Sequence, residues 1–182
     1  MTTLATLEQL LREQADLPPI DRWHPELCGD IDIFIDNDGR WFHEGRPFAR
    51  EALVRLFASI LRREADGRYY LVTPAEKMRI RVEDVPFLAV AADAAGAGTG
   101  QTVVFTLNTG RKVLLDATHP LVIRGTADLP RPYLELEHGL AARLSRPVYY
   151  TLVDLAAEHQ GETGVWSGGA WFPLTPPVAA EQ

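Results

Sequence analysis

Between Ile31 and Phe87 the chain switches repeatedly between a period of two and a period of 3.6, and this alternation limits the fold more than any other feature. Ile31, Ile33 and Ile35 alternate with Asp32, Phe34 and Asp36, which predicts a half-buried strand. Asn37-Asp38-Gly39 then supplies a tight turn in which the glycine can take a positive φ. Arg40 to His43 leads back, and Glu44-Gly45-Arg46-Pro47 turns the chain towards a helix. In that helix Leu53, Leu56, Phe57, Ile60 and Leu61 recur at helical spacing, with Glu51, Arg55, Ser59, Arg62 and Arg63 on the wet face. Gly67 is expected to cap its end. Ala49 stands where a Ser, Thr or Asp cap would help, so the helix start must rest on Glu51 or on packing.

The flanking segments extend the same grammar. Leu4 to Gln14 reads as a short helix with Leu4, Leu7, Leu10 and Leu11 on one side. Pro18, Pro19 and Pro25 make Asp16 to Gly29 an extended connector. After the helix, strands are expected at Arg68–Val72 and Lys77–Glu83, then at Phe87–Ala92. Thr102–Leu107 and Arg111–Leu115 form a hairpin across Asn108-Thr109-Gly110. Leu121–Arg124 and Pro132–Leu136 are shorter strands, and Ser145-Arg146-Pro147 opens a second helix carrying Val148, Leu152, Leu155 and Ala156. Val165 to Phe172 closes as a third hairpin. Trp41–Phe48 and Trp166–Phe172 share a Trp, glycine-turn, aromatic order beside a helix, an internal echo. The fold class is therefore α+β, with two small lobes, each a mostly antiparallel twisted sheet with one packed amphipathic helix. The expected divisions are residues 1–29 (helix and connector), 30–85 (first lobe), 86–174 (second lobe) and 175–182 (tail).

Composition narrows the functional classes. A formal net charge of −7 argues against a general nucleic-acid binder, because phosphate contacts need a basic surface. No apolar run approaches ~18 residues, so no membrane helix is expected. Cys28 is the one cysteine, which excludes a disulfide framework and a cysteine-rich zinc site. With no secretory pattern at Met1–Glu13, a cytoplasmic setting follows.

Several constellations could carry chemistry. Lys77, Arg79 and Arg81 alternate with Met78, Ile80 and Val82, presenting three cations in a row. They read either as an anion site or as a solvated face balanced by acids such as Glu76 and Asp84. Asp36, Asp38 and Gly39 fail the calcium-loop spacing and read as a β-turn. Gly96, Gly98 and Gly100 precede a strand-like run, so they make a hairpin loop rather than a phosphate cradle. His43, Glu44, Asp116 and His119 could assemble a metal or acid–base site if the lobes meet there.

Eleven consecutive residues, Asp38-Gly39-Arg40-Trp41-Phe42-His43-Glu44-Gly45-Arg46-Pro47-Phe48, together with Leu53 to Leu61, resemble the bacterial domain-of-unknown-function family 1285. Tyr70 to Lys77, Val82 to Phe87, Asp116 to Leu121, Val148-Tyr149-Tyr150 and Val165 to Gly169 are similar to the same family, so the likeness runs from about Pro19 to Leu174. The resemblance implies a two-lobe α+β fold, a proteobacterial setting, a part in signal transduction or regulation, and no catalytic residues to transfer.

The leading expectation is thus a non-catalytic regulatory protein holding a small molecule or protein partner in the cleft between the lobes. Trp41, His43, Glu44, Lys77, Arg79 and His119 are its expected ligand-binding residues. A metal-assisted hydrolase using His43, Glu44, Asp116 and His119 is the alternative. A third reading is an interaction protein presenting a sheet edge or the Trp166–Phe172 hairpin. The sequence leaves cofactor, ligand and oligomeric state open.

Overall fold

The computed structural model describes residues 17–177, so the helix expected over Leu4–Gln14 lies outside the described residues. A first sheet is built from β1 (Leu27–Ile35), β2 (Trp41–His43), β3 (Arg46–Pro47), β4 (Leu61–Arg63), β5 (Tyr69–Val72) and β6 (Lys77–Val82), with helix α1 (Glu51–Ser59) between β3 and β4. Its strand order is β3-β2-β1-β6-β5-β4. The second sheet comprises β7 (Phe87–Ala95), β8 (Thr102–Leu107), β9 (Lys112–Leu114), β10 (Leu121–Gly125), β11 (Pro130–Glu135) and β12 (Ala141–Leu144). Its order is β10-β11-β12-β7-β8-β9. Helix α2 (Arg146–Asp154) follows, and β13 (Ala157–His159), β14 (Glu162–Ser167) and β15 (Ala170–Pro173) form a small third sheet.

The two large sheets have one topology. In each, the first and sixth strands pair in parallel at the centre, β1 with β6 and β7 with β12. The remaining neighbours are antiparallel. By this repeat the counterpart of the β2–β3 hairpin is β8–β9. The expected echo between Trp41–Phe48 and Trp166–Phe172 therefore matched the wrong pair, since Trp166 lies in the third sheet. Short aromatic hairpins share a pattern without sharing a place in the topology.

Helix α1 is shorter than its periodicity predicts. Ile60 leaves helical geometry at φ −112°, and Leu61, Arg62 and Arg63 pair with Leu71, Tyr70 and Tyr69. Gly67, expected as a helix cap, instead turns the β4–β5 hairpin with φ +77°. Leu61 is fully buried as a strand residue, so tertiary pairing overrides the local period. Arg50 occupies the cap position without a side-chain capping bond, and Glu51 supplies the acidic first turn. Helix α2 begins as expected with proline in its first turn and buries Val148 and Leu152.

One contiguous core runs through both lobes: Ile33, Ile35, Leu61 and Leu71 belong to the same cluster as Phe105, Leu107, Leu134 and Leu144. Among the described residues no helix is long and apolar enough to cross a membrane.

The Asn37-Asp38-Gly39 turn fastens the lobes together. Asp36 accepts the backbone N–H groups of Asp38 (3.0 Å) and Arg40 (2.9 Å), so the turn is wrapped around a carboxylate rather than a cation. Asn108 Nδ2 of the second lobe donates to the Gly39 carbonyl at 2.8 Å. Gly39 has φ +73°, and a Cβ there would stand 2.5 Å from Asn108 Nδ2. A Gly39→Ala substitution should therefore cost about 2–3 kcal/mol, combining left-handed strain with a displaced hydrogen bond. Urea unfolding should show the loss as a lower midpoint at unchanged slope.

Candidate functional site

A cleft of about 840 Å³ opens between the lobes. Asn37, Glu83 and Asp84 of the first lobe face Arg131, Tyr133, Arg143, Arg146, Tyr149 and Tyr150 of the second. Sheet geometry aims three of these groups together. Arg131 and Tyr133 are two apart on β11, and Tyr133 sits directly across from Arg143 on β12. Arg146 and Tyr150 are then contributed by the first turns of α2.

Two carboxylates of the cleft are already engaged. Glu83 accepts the Asn37 N–H at 2.8 Å, and Asp84 accepts the Tyr133 hydroxyl at 2.9 Å. Burial, reinforced by that bond to Asp84, raises the pKa of the Tyr133 hydroxyl above the usual phenol value, so it stays a donor. Arg143 donates to the Asn37 carbonyl at 2.6 Å. Among the described residues none of Arg131, Arg143 and Arg146 takes part in an ion pair. The cleft thus offers three guanidinium groups that no carboxylate holds at ion-pair distance, although Glu83, Asp84 and Asp128 line it too.

None of the six residues expected to bind ligand lines this cleft. Trp41 is only 4% exposed and belongs to the core. His43 is exposed on β2 and stacks on Phe48 with ring centroids 6.0 Å apart, while Glu44 occupies the β2–β3 turn at φ +51°. Lys77 holds Glu64 at 3.0 Å, and Arg79 grips Asp30 through two bonds of 2.7 and 2.6 Å. Arg81 pairs with Asp32 at 2.9 Å. The basic strand face is therefore balanced, though by Asp30, Asp32 and Glu64 rather than by Glu76 and Asp84. The parallel β1–β6 pairing, with Asp30 beside Arg79, delivers Asp30 and Asp32, while Glu64 follows the end of β4.

His119 lies elsewhere, in a buried polar cluster of the second lobe. It is 3% exposed, and its Nε2 donates to Glu137 at 2.9 Å. Arg111 Nη2 contacts both Glu137 oxygens, at 2.7 and 2.9 Å. Asp116 accepts the His119 N–H at 2.9 Å and the Thr118 hydroxyl at 2.6 Å. His43 and Glu44 take no part in this cluster, so the four-residue hydrolase site is not assembled. No group of three His, Cys, Asp or Glu side chains among the described residues is placed to hold a metal ion. Sequence reading missed Arg131, Arg143 and Arg146 because what unites them is a shared cleft wall, and pairing between distant strands decides that.

Two large sheets of one topology, a shared core and a cleft between them define a two-lobed α+β protein with a built-in recess. Its N-terminal part, residues 18–85, matches the model of the DUF1285 N-terminal domain, and residues 86–174 match that of the DUF1285 C-terminal domain. The chain belongs to the DUF1285 family, described as of unknown function. A crystal structure of a DUF1285 family protein from Silicibacter pomeroyi DSS-3 is similar at 40% identity and a TM-score of 0.82, covering 92% of this chain and 95% of that one. A second, from Shewanella baltica OS155, is similar at 33% identity and a TM-score of 0.53, over 67% of this chain and 90% of that one. No curated protein matches the chain.

The buried cluster makes a pH prediction. Burial pushes the Glu137 carboxyl up, but the bonds from His119 and Arg111 and the Arg111 charge outweigh it, holding the pKa well below the usual carboxylate range. A depressed folded-state pKa gives stability that is complete above the unfolded value of about 4.3 and fades as pH falls towards the folded one. Stability from pH 6 to 3 should therefore decline less steeply in Glu137→Gln than in the parent. The variant should also lose about 1–3 kcal/mol at pH 7, with urea denaturation at each pH as the measurement.

Proposed function

We propose that this chain is a regulatory binding protein whose interlobe cleft holds a small anionic molecule. One observation carries the reading: three arginines line a cleft of about 840 Å³, and none is ion-paired among the described residues. Arg79, Arg81 and Arg111, by contrast, are held by Asp30, Asp32 and Glu137. Guanidinium forks suit planar carboxylates and phosphate oxygens, and Tyr150, 57% exposed, adds apolar contact beside them. The size is in the range of small-molecule sites. A ligand here touches both lobes at once, since Asn37 and Arg143 already meet across the cleft. Binding therefore bears on how the lobes are held, which supports a regulatory role over a simple carrier.

Calorimetric titration of the whole protein with pyrophosphate and with citrate tests this. At least one should bind with a Kd below about 1 mM, and Arg143→Gln should weaken it about tenfold, equivalent to 1.4 kcal/mol. Arg81→Gln, on the balanced strand face, should leave the affinity unchanged. Absence of binding to both anions, or equal loss in the two variants, would reject the reading.

A further inference from the structure

The third sheet turns one face to the core and the other outward. Val165, Ser167 and Phe172 point inward, each 6% exposed or less. Strand alternation puts Trp166 and Trp171, which pair directly across β14 and β15, on the opposite face. His159 of β13 joins them, its ring centroid 4.9 Å from that of Trp166 and 5.2 Å from that of Trp171. The two indoles stand 5.3 Å apart. Gly164 makes room for them: a Cβ there would stand 2.6 Å from Trp171 Cζ2, so that ring lies on bare backbone. The Trp171 indole N–H is buried without an acceptor, so packing rather than a hydrogen bond sets the ring in place. All three aromatic residues remain half-buried rather than joining the core.

The charge around these rings has one sign. No Lys or Arg follows Arg146 in the sequence, whereas Asp154, Glu158, Glu162 and Glu181 do. Glu162 pairs with His159 and so shares the aromatic face, and Glu158 lies on the neighbouring strand β13. Neither takes part in an ion pair among the described residues. Strand β10, which packs against β15, brings Arg124, but that cation lies over Tyr133 at 4.4 Å and faces Glu135 at 3.8 Å. The outer face is thus aromatic and anionic, a combination that suits a cation. β13 is also the outermost strand of its sheet, and its far edge has no strand partner among the described residues.

We propose that this face docks a basic, extended segment of a partner protein. The segment adds to the β13 edge and lays Lys or Arg side chains over Trp166 and Trp171, with Glu162 and Glu158 as counter-charges. Magnitudes favour a segment over a free cation. One cation over an exposed ring gains only about two- to fivefold in affinity. The rings pack on one another and form a platform rather than a cage, so a lone ammonium group gains little beyond that. A chain repeats the contact and adds main-chain hydrogen bonds along the open edge. No residue of the third sheet lines the arginine-bearing cleft, so this surface stands independently of that cleft's ligand.

NMR titration of the full chain with a synthetic octapeptide alternating arginine and threonine tests this. The indole N–H resonances of Trp166 and Trp171 should shift, with a Kd below about 1 mM. The same peptide with glutamate in place of arginine should not bind, and spermidine should bind about tenfold more weakly or worse. Glu162→Lys should weaken the octapeptide about fivefold, and Trp166→Thr, which keeps a strand-forming residue, should do the same. Glu76→Lys makes an equal change of charge in the exposed turn before β6 and should alter the affinity less than twofold. Equal loss in Glu162→Lys and Glu76→Lys would overturn the proposal, since the peptide would then be answering the net charge of −7. So would spermidine binding as tightly as the octapeptide, shifts centred on Glu83, Asp84 and Asp128 of the cleft, or indole resonances that do not move.

Discussion

The carbonyl of Gly39 and the amide of Asn108 meet at 2.8 Å, and the joining of the two lobes depends on how closely they approach. Asn108 is held from its own side as well, its N–H donating to the Leu88 carbonyl at 2.8 Å and its Oδ1 accepting from the Leu88 N–H at 3.2 Å. The second lobe therefore presents a rigid fork rather than a mobile side chain, and the first lobe presents a bare backbone turn. Any side chain at position 39 would push the two apart. That contact sits one residue from Asp38 and two from Asn37, whose carbonyl receives Arg143 in the anion cleft. The same turn thus sets both the lobe register and one wall of the proposed binding site.

The repeated strand order explains why both lobes need this joint. A parallel pair at the centre of a sheet is made by strands distant in sequence, here β1 with β6 and β7 with β12. Such pairs are stable when their faces are covered. Neither lobe has enough helix to cover its own sheet: α1 and α2 are nine residues each. The lobes bury one another instead, which is why Phe105 and Ile33 fall in a single core. Gly139, at φ +72°, shows how close this packing is, since a Cβ there would lie 3.1 Å from the Arg63 carbonyl.

Local pattern carried the fold far. The alternation of Ile31, Ile33 and Ile35, the turns at Gly39 and Gly110, and the proline start of α2 each appear where periodicity and turn chemistry put them. What misled was position-specific competition. Leu61 fits the helical stripe as well as it fits a strand, and pairing with Leu71 decides it. The site was far less legible. Trp41, His43 and Glu44 attract notice as residue types, but Trp41 fills the core, His43 is exposed at the end of β2 and Glu44 lies in the exposed turn after it. No rule of spacing reports that Asp30 will lie beside Arg79, because 49 residues separate them.

Arg79 and Arg143 make the physical difference plain. Both sit on the sixth strand of their sheet, half-exposed, next to the central parallel partner. For Arg79 that partner is β1, which places Asp30 in register and neutralises it. For Arg143 the partner is β7, whose residue in register is Leu88. The repeat therefore preserves the cation's place in the topology while replacing its acid with an apolar side chain. A surface arginine bonded only to a backbone carbonyl keeps most of its charge unsatisfied, and its fork remains free to meet an anion from solution. Arg131 and Arg146 line the same cleft, and its carboxylates, Glu83, Asp84 and Asp128, form no ion pair with any of the three. A fold that matches Asp32 to Arg81 and Glu64 to Lys77 leaves these three arginines outside any ion pair among the described residues, and a bound anion is a partner that their forks are free to take.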